Sequence, residues 1–244
     1  MLAIIKIGGS AFSDKKSGKL YVGEVAERVA RELPKGMQAL IVQGAGSVGH
    51  MLAKRYSIYE LKNNQNKWAL LRYEVGKVSM EIAEALIKRG HAPIILSTPS
   101  FFSIKNGRIS VSNLGILKAY IERGFIPILH SDGPLDDKKG LSILSGDDIA
   151  VELANRLAAD LLIFGTDVPY LYGRNKKQVH EISRHTAPKL AFESSGIDVS
   201  GGMQKKLEKV SKVKRKTKVM LISLRKDGML KASISGKRVG TLIY

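Results

Sequence analysis

Leu2-Ala3-Ile4-Ile5-Lys6-Ile7-Gly8-Gly9-Ser10 is the stretch on which the reading of this chain turns. An apolar run of this length closed by glycine reads as a buried strand. The glycines remove Cβ atoms where the strand meets the next loop or helix, so backbone N–H groups can approach an anion. Lys6 stands inside the apolar run, two residues before Gly8. That places it at the carboxyl end of the strand, where α/β folds bind ligands. A lysine there is costly unless it meets an anion; the alternative is an edge lysine that reaches solvent.

The same grammar continues outward. Helical periodicity runs from Glu24 to Leu33, and Ala39 to Val42 is a second apolar strand. It too ends in glycines, Gly44-Ala45-Gly46-Ser47. Leu70 to Arg89 predicts a long amphipathic helix, Pro93 to Leu96 a strand, and Leu114 to Arg123 a helix stopped at Gly124. Ile126 to Leu129 predicts a strand, followed by the turn Ser131-Asp132-Gly133-Pro134. Asp147 to Ala158 and Met203 to Val213 predict helices, and Leu161 to Phe164 and Val219 to Ile222 strands. Met229 to Ile234 and Val239 to Ile243, split by Ser235-Gly236-Lys237, predict a closing hairpin. The polar stretch from Leu61 to Lys67 predicts a mobile loop. Alternating strands and helices predict an α/β fold: a three-layer α-β-α sandwich with a mostly parallel central sheet.

Composition narrows the function classes. With 244 residues the chain can build one large core, and at 6% aromatic that core is aliphatic. No apolar run reaches membrane-spanning length, and the start is too short for a signal segment, so a cytoplasmic address is expected. The absence of cysteine excludes disulfides and thiolate metal sites, and no histidine is paired with carboxylates at metal spacing. The formal charge of +18 suits an anionic partner. Much of it lies between Lys205 and Lys218, where Leu207, Val210 and Val213 recur at helical spacing. That pattern reads as a helix with one buried side and solvated lysines. No zinc spacing, aromatic RNA-stacking motif or basic tail supports specific nucleic-acid binding. There is no Walker A motif and no protein-kinase signature set. Gly44 to Gly49 spells G-x-G-x-x-G, but it follows a second strand and is succeeded by His50, which leaves a dinucleotide-binding reading as the alternative.

Taken together, several segments resemble the amino-acid kinase superfamily, and within it the archaeal-type isopentenyl phosphate kinases. They are Ile5-Lys6-Ile7-Gly8-Gly9-Ser10, Gln43-Gly44-Ala45-Gly46-Ser47-Val48-Gly49-His50, Ser145-Gly146-Asp147-Asp148, Gly165-Thr166-Asp167-Val168 and Asp198-Val199-Ser200-Gly201-Gly202-Met203-Gln204-Lys205-Lys206. The Gly49-His50 ending favours that subfamily over kinases of acetylglutamate, glutamate, aspartate, carbamate or UMP. The resemblance implies a single amino-acid-kinase domain over residues 1–244. Its acceptor-binding front half covers about 1–145 and its nucleotide-binding back half about 146–244. It implies ATP with Mg²⁺ as donor, isopentenyl phosphate as acceptor, no membrane partner and a homodimer. By resemblance, Lys6 with Gly8, Gly9 and Ser10 holds the ATP phosphates. Lys15 neutralises the transferring group, with Lys16 as the neighbouring alternative. Ala45 and Gly46 line the junction of donor and acceptor, His50 binds the acceptor phosphate and Gly146 touches the acceptor. Asp147 orients the lysines, and Asp167, Gly202 and Lys206 contact the nucleotide.

Other readings stand beside these roles. Asp147 could be a helix N-cap. His130 could face the acceptor or end its strand. Lys206 belongs to the site and the later lysines of its run to solvent. Tyr73, Val75, Met80 and Ile143 could wall an apolar acceptor pocket, with core packing as the alternative. The chain departs from the family pattern at Gln43, where a histidine is usual. It also departs at Pro169-Tyr170, where Asp-Gly is usual, and at Ser131-Asp132-Gly133, where Gly-Asp-Val is usual. These changes bear on nucleotide preference and catalytic vigour more than on the fold. The rival functions are a kinase of the same fold acting on a carboxylate or nucleotide, a non-catalytic relative, and a nucleic-acid-associated protein.

Overall fold

The computed structural model describes residues 1–13, 21–55, 65–173, 177–189, 202–214 and 216–244, without the side chains of Ser47, Val48, His50 and Lys54. In chain order the elements begin with β1 (Leu2–Ile7), α1 (Gly9–Phe12), α2 (Val22–Glu32), β2 (Gln38–Gln43), α3 (Gly46–Arg55), α4 (Gln65–Lys88) and β3 (Pro93–Ile95). Then come β4 (Phe102–Lys105), β5 (Arg108–Val111), α5 (Leu114–Glu122), β6 (Ile126–His130), β7 (Leu135–Asp136) and β8 (Gly140–Leu141). The last group is α6 (Gly146–Arg156), β9 (Leu161–Thr166), β10 (Leu171–Tyr172), β11 (Gln178–Val179), β12 (Glu181–Ile182), α7 (Gly202–Val210), β13 (Lys218–Ser223), α8 (Met229–Ile234) and β14 (Thr241–Ile243).

An eight-stranded sheet runs in the order β12-β14-β13-β9-β1-β2-β6-β3. It is parallel from β13 to β3, and β14 runs against β13. Side chains alternate across β1 with the period of a strand. Ala3, Ile5 and Ile7 pack with Val25 and Val29 of α2, Ile82 and Leu86 of α4 and Leu230 of α8. Ile4 packs on the opposite face with Leu117 of α5, Ile149 and Leu153 of α6 and Leu207 and Val210 of α7. Lys6 shares the face of Ile4 by the same alternation, and is thereby aimed at α6 and α7.

The strand and helix expectations hold from β1 to β13 with small shifts of boundary. The closing hairpin is corrected: Met229–Ile234 is a helix, and β14 pairs with β13 instead. Met229, Leu230 and Ser233 are its buried residues, a helical spacing. Its start is capped from a distant element. Glu32, buried at the end of α2, accepts hydrogen bonds from the N–H groups of Gly228 at 2.8 Å, Leu230 at 3.0 Å and Lys231 at 3.2 Å. No local pattern announces such a cap. The helix expected to reach Val213 stops as α-helix at Val210. The expected mobile loop falls mostly outside the described residues, and Gln65 to Lys67 form the first turn of α4. A smaller sheet, β5-β4-β7-β8, has no counterpart in the sequence expectations. Its signal is nevertheless local: Asn106-Gly107 joins β4 to β5 with φ of +49° and +72°, the left-handed pair that a two-residue hairpin turn demands.

Replacing Glu32 by alanine strips three N–H groups of their acceptor, and should lower the free energy of unfolding by about 2 kcal/mol. Urea denaturation should show this loss, with a smaller one for Glu32→Gln, which keeps one acceptor oxygen.

Candidate active site

The strands β6, β2, β1, β9 and β13 finish side by side. The pairs His130–Gln43, Gln43–Ile7, Ile7–Gly165 and Thr166–Ser223 lie across from one another. Two glycine turns meet at this edge. Gly8 donates its N–H to the Gly165 carbonyl at 2.7 Å, and Gly44 donates to the Ile7 carbonyl at 2.9 Å. A Cβ on Gly9 would sit 2.6 Å from the Gly46 Cα. Gly46 has φ +63°, and a Cβ there would come within 2.4 Å of the Phe12 ring. Both positions therefore require glycine. The helices α3 and α6 begin here, at Gly46 and Gly146. The first N–H groups of a helix have no acceptor within it and favour an anion.

Lys6, Asp147 and Lys206 form the centre of the edge. Lys6 Nζ lies 2.7 Å from Asp147 Oδ1, and Lys206 Nζ lies 3.0 and 2.8 Å from Oδ1 and Oδ2. Each arrives by a local rule. Strand alternation points Lys6 at α6. Ser145 caps α6, accepting from the Asp148 N–H at 3.2 Å, which leaves Asp147 in the first turn with its carboxylate free for the lysines. The cap role considered for Asp147 thus belongs to Ser145. Lys206, in the second turn of α7, is 7% exposed and its ammonium lies 5.0 Å from the centre of the Phe164 ring.

Burial alone would push the Asp147 carboxyl up, but the charges of Lys206 and Lys6 and their hydrogen bonds hold it well below the usual carboxylate range. Burial pushes Lys206 down from 10.5 to about 8; Asp147 pulls it back and the Lys6 charge adds to the fall. Two ammonium groups against one carboxylate leave a buried excess of positive charge, which an anionic ligand would neutralise.

One turn along α7, Lys209 donates to Asp148 Oδ2 and to Ser145 Oγ, both at 2.7 Å. This lysine is not solvated as expected; it staples α7 to α6. Lys205, Lys212, Lys214, Lys216 and Lys218 are exposed, as the solvated-face reading requires. Leu207, Val210 and Val213 are buried.

The other expected residues spread around this centre. Ser10 follows Gly9 in α1, and its carbonyl accepts from Arg225 at 2.8 Å. Asp167 is exposed just past β9, where its carbonyl accepts from Ser223 Oγ at 3.0 Å. Gly202 begins α7. Ala45 sits between the second glycine turn and a small apolar cluster of Trp68, Leu71 and Val75. His50 lies in α3, four residues after Gly46. Lys15 and Lys16 lie outside the described residues. Of the suggested pocket wall only Val75 is core; Tyr73, Met80 and Ile143 are exposed. His130 is buried, its Nδ1 3.3 Å from Ser79 Oγ and its Nε2 3.5 Å from Asp132.

The departures from the family pattern have visible partners. Gln43 donates to the carbonyls of Gly44 at 3.1 Å and Val75 at 3.3 Å and accepts from Ser79 at 2.5 Å, which braces the second glycine turn. Ser131 Oγ accepts from the Gly146 N–H at 2.6 Å, and Asp132 is paired with Arg72 at 3.0 Å. Pro169-Tyr170 leads into the β10–β11 pair, with the Tyr170 ring edge-on to His180. Ser79, Arg72, Lys209 and Arg225 carry no signal in the sequence, because their partners are distant in the chain.

Because Lys206 gives up its proton near pH 8 in the folded chain and near 10.5 when unfolded, this group makes stability fall as pH drops from 10.5 towards 8, so that stability rises with pH between those values. Asp147 acts in the opposite range: its contribution is complete above the usual carboxylate pKa and is lost as pH falls below it. NMR titration of the Lys206 side chain should give a midpoint near 8, moved lower in Asp147→Asn; a midpoint at the ordinary lysine value would refute the buried charge cluster.

Known proteins share this fold and these segments. The model of the amino acid kinase family matches residues 1–223. The isopentenyl phosphate kinase of Methanocaldococcus jannaschii is 32% identical over 237 residues, covering 88% of each chain. That of Thermoplasma acidophilum is 29% identical over 223 residues, covering 89% of each. The crystal structure of a T. acidophilum isopentenyl phosphate kinase product complex superposes with a TM-score of 0.79 over all of both chains, at 25% identity. The chain therefore belongs to the amino acid kinase family, alongside the isopentenyl phosphate kinases.

Proposed function

We propose that this protein transfers the γ-phosphoryl group of ATP to isopentenyl phosphate, giving isopentenyl diphosphate and ADP. The observation that carries the reading is the buried Lys6–Asp147–Lys206 cluster, with its excess positive charge, where two glycine turns meet. Phosphoryl transfer between two phosphates gathers several negative charges in one place, and catalysis is positioning plus neutralisation. An acceptor phosphate oxygen attacks the γ-phosphorus as its bond to the β-phosphate oxygen breaks. The attacking oxygen is already ionised, so no strong general base is needed.

In this reading the front part, about residues 1–145, holds the acceptor and the back part, about 146–244, the nucleotide. Lys6, Gly8, Gly9 and Ser10 hold the donor phosphates, Lys206 the nucleotide, and Asp147 keeps both lysines aimed at them. Gly46, Asp167 and Gly202 complete the donor side, and Lys15 neutralises the group in flight. Ala45, Gly146 and His50 meet the acceptor, with His50 reading its phosphate. The apolar cluster around Trp68, Leu71 and Val75, next to Ala45, suits a hydrocarbon tail. Among the described residues no group of three carboxylate or histidine side chains could hold a metal ion, and Asp147 is engaged by lysines. That arrangement fits Mg²⁺ carried on the phosphates of ATP rather than in a protein cage. The ion would supply further charge neutralisation there. A cytoplasmic address completes the reading, supported by a chain without cysteine. Among the described residues no helix is long and apolar enough to cross a membrane.

A homodimer is also part of the proposal. Strand β3 is one of the two outer strands of the sheet among the described residues. Met80 and Ile87 on α4, and Ile116 and Phe125 about α5, expose apolar surface on the elements around it. An open strand edge with apolar surface nearby suits a second copy of the chain. Light scattering should report twice the chain mass, and Met80→Lys with Ile87→Lys should give a monomer.

Release of ADP should be fastest with isopentenyl phosphate when it is compared with dimethylallyl phosphate, acetylglutamate, glutamate, carbamate and UMP. A preference for acetylglutamate or UMP would overturn the reading. Lys6→Ala and Lys206→Ala should each lower kcat by on the order of 100-fold. His50→Ala should lower kcat/KM for the acceptor strongly and leave ATP affinity near that of the wild type.

A further inference from the structure

Arg225 lies just beyond β13, outside every segment that carries the family resemblance, yet it reaches the first glycine turn. Its Nη2 donates to the carbonyls of Ser10 at 2.8 Å and Ser13 at 3.1 Å, and its Nε donates to Ala11 at 2.9 Å. Its guanidinium carbon stands 4.6 Å from the centre of the Tyr21 ring, a cation–π distance. Its own backbone N–H donates to Ser223 Oγ at 3.1 Å, and that hydroxyl donates to the carbonyl of Asp167. One residue thus connects the turn after β1 with the turn after β9, and Gly8 in the first of these also bonds to Gly165 within β9.

The turn needs such a holder. α1 spans only Gly9–Phe12, and a single helical turn does not sustain itself. Its carbonyl end carries partial negative charge, which a fixed cation stabilises. Arginine presents several donors in one rigid plane; lysine would offer a compact charge on a flexible stem.

We propose that Arg225 is a positioning residue that fixes the Gly8-Gly9-Ser10 turn for the donor phosphates, touching neither substrate. The inference rests on the kinase reading given above. Arg225→Ala should reduce kcat/KM for ATP about tenfold, the scale expected when a phosphate-holding element loses its orientation. The acceptor KM should stay within about twofold, since the acceptor meets other residues. Arg225→Lys should recover only part of the loss. Millimolar guanidinium should partly rescue the alanine variant, and methylammonium should not. Arg31→Ala is the control: Arg31 pairs with Asp227 at 2.6 Å, close to the same segment, rather than with the carbonyls of α1, and its kinetics should match wild type. Calorimetry with ATP reads the same effect without turnover. If Arg225→Ala bound ATP and turned over like wild type, or if guanidinium gave no rescue, the positioning role would be wrong. A wild type that bound ATP but phosphorylated none of the acceptors would instead overturn the kinase reading, and the calorimetric comparison would still decide the role of Arg225.

Discussion

A carboxylate held between two ammonium groups inside the protein is the contact on which the rest of this structure depends. Asp147 touches Lys6 from the first strand and Lys206 from a helix about two hundred residues later. Taking those charges out of water is costly, and only good geometry returns that cost. The requirement reaches back into the sheet. A slip of β1 by one residue would turn Lys6 toward the aliphatic layer of α2 and α4, and Ile7 toward Asp147. The pairing of β1 with β2 and β9 is therefore fixed by a polar demand as well as by the burial of Ile4 and Ile5.

The strong basicity of the chain has a division of labour within it. α7 carries three lysines, Lys205, Lys206 and Lys209, and their angle about the helix axis decides their task. Lys206 and Lys209, three residues apart, face the start of α6, where they meet Asp147 and Asp148. Lys205, on another side of the same turn, is exposed. Net charge thus reflects surface for the most part, and in α7 only Lys206 and Lys209 have exchanged water for protein partners.

Much of the frame is legible in the sequence because it obeys local rules. The run Leu2–Ile7 announces a buried strand by composition, Lys6 announces a negatively charged partner by its expense and has one in Asp147, and the glycine clusters mark close backbone approach. The family resemblance places Asp147 and Lys206 in one site, and the two side chains are in contact. The parts that escape such a reading depend on partners far along the chain. Met229–Ile234 has the apolar content of a strand and becomes a helix because Glu32 caps it across nearly two hundred residues. Lys209 reads as one more solvated lysine until α6 lies beside it. Gln43 reads as the loss of a family histidine, yet with Ser79 it braces the turn beyond it. The Asn106-Gly107 hairpin is a different case: its two turn residues are adjacent, but the strands they join are too short for a period of two to stand out.

The position of β14 carries a consequence for how the chain is made. Residues 241–243 insert between β12 and β13, and β12 has β14 as its neighbour in the sheet. While the ribosome is still adding the preceding residues, Glu181–Ile182 has no strand to join. The β1–β2–β6–β3 side, by contrast, is complete once residue 130 has emerged. Synthesis therefore delivers a half-sheet first, whose β1 edge stays open until Leu161–Thr166 arrives, and the other margin is sealed last. During that interval an exposed apolar strand is at hazard of pairing with a neighbouring nascent chain, and early occupation of that edge by a chaperone would protect yield more than it would change the final fold.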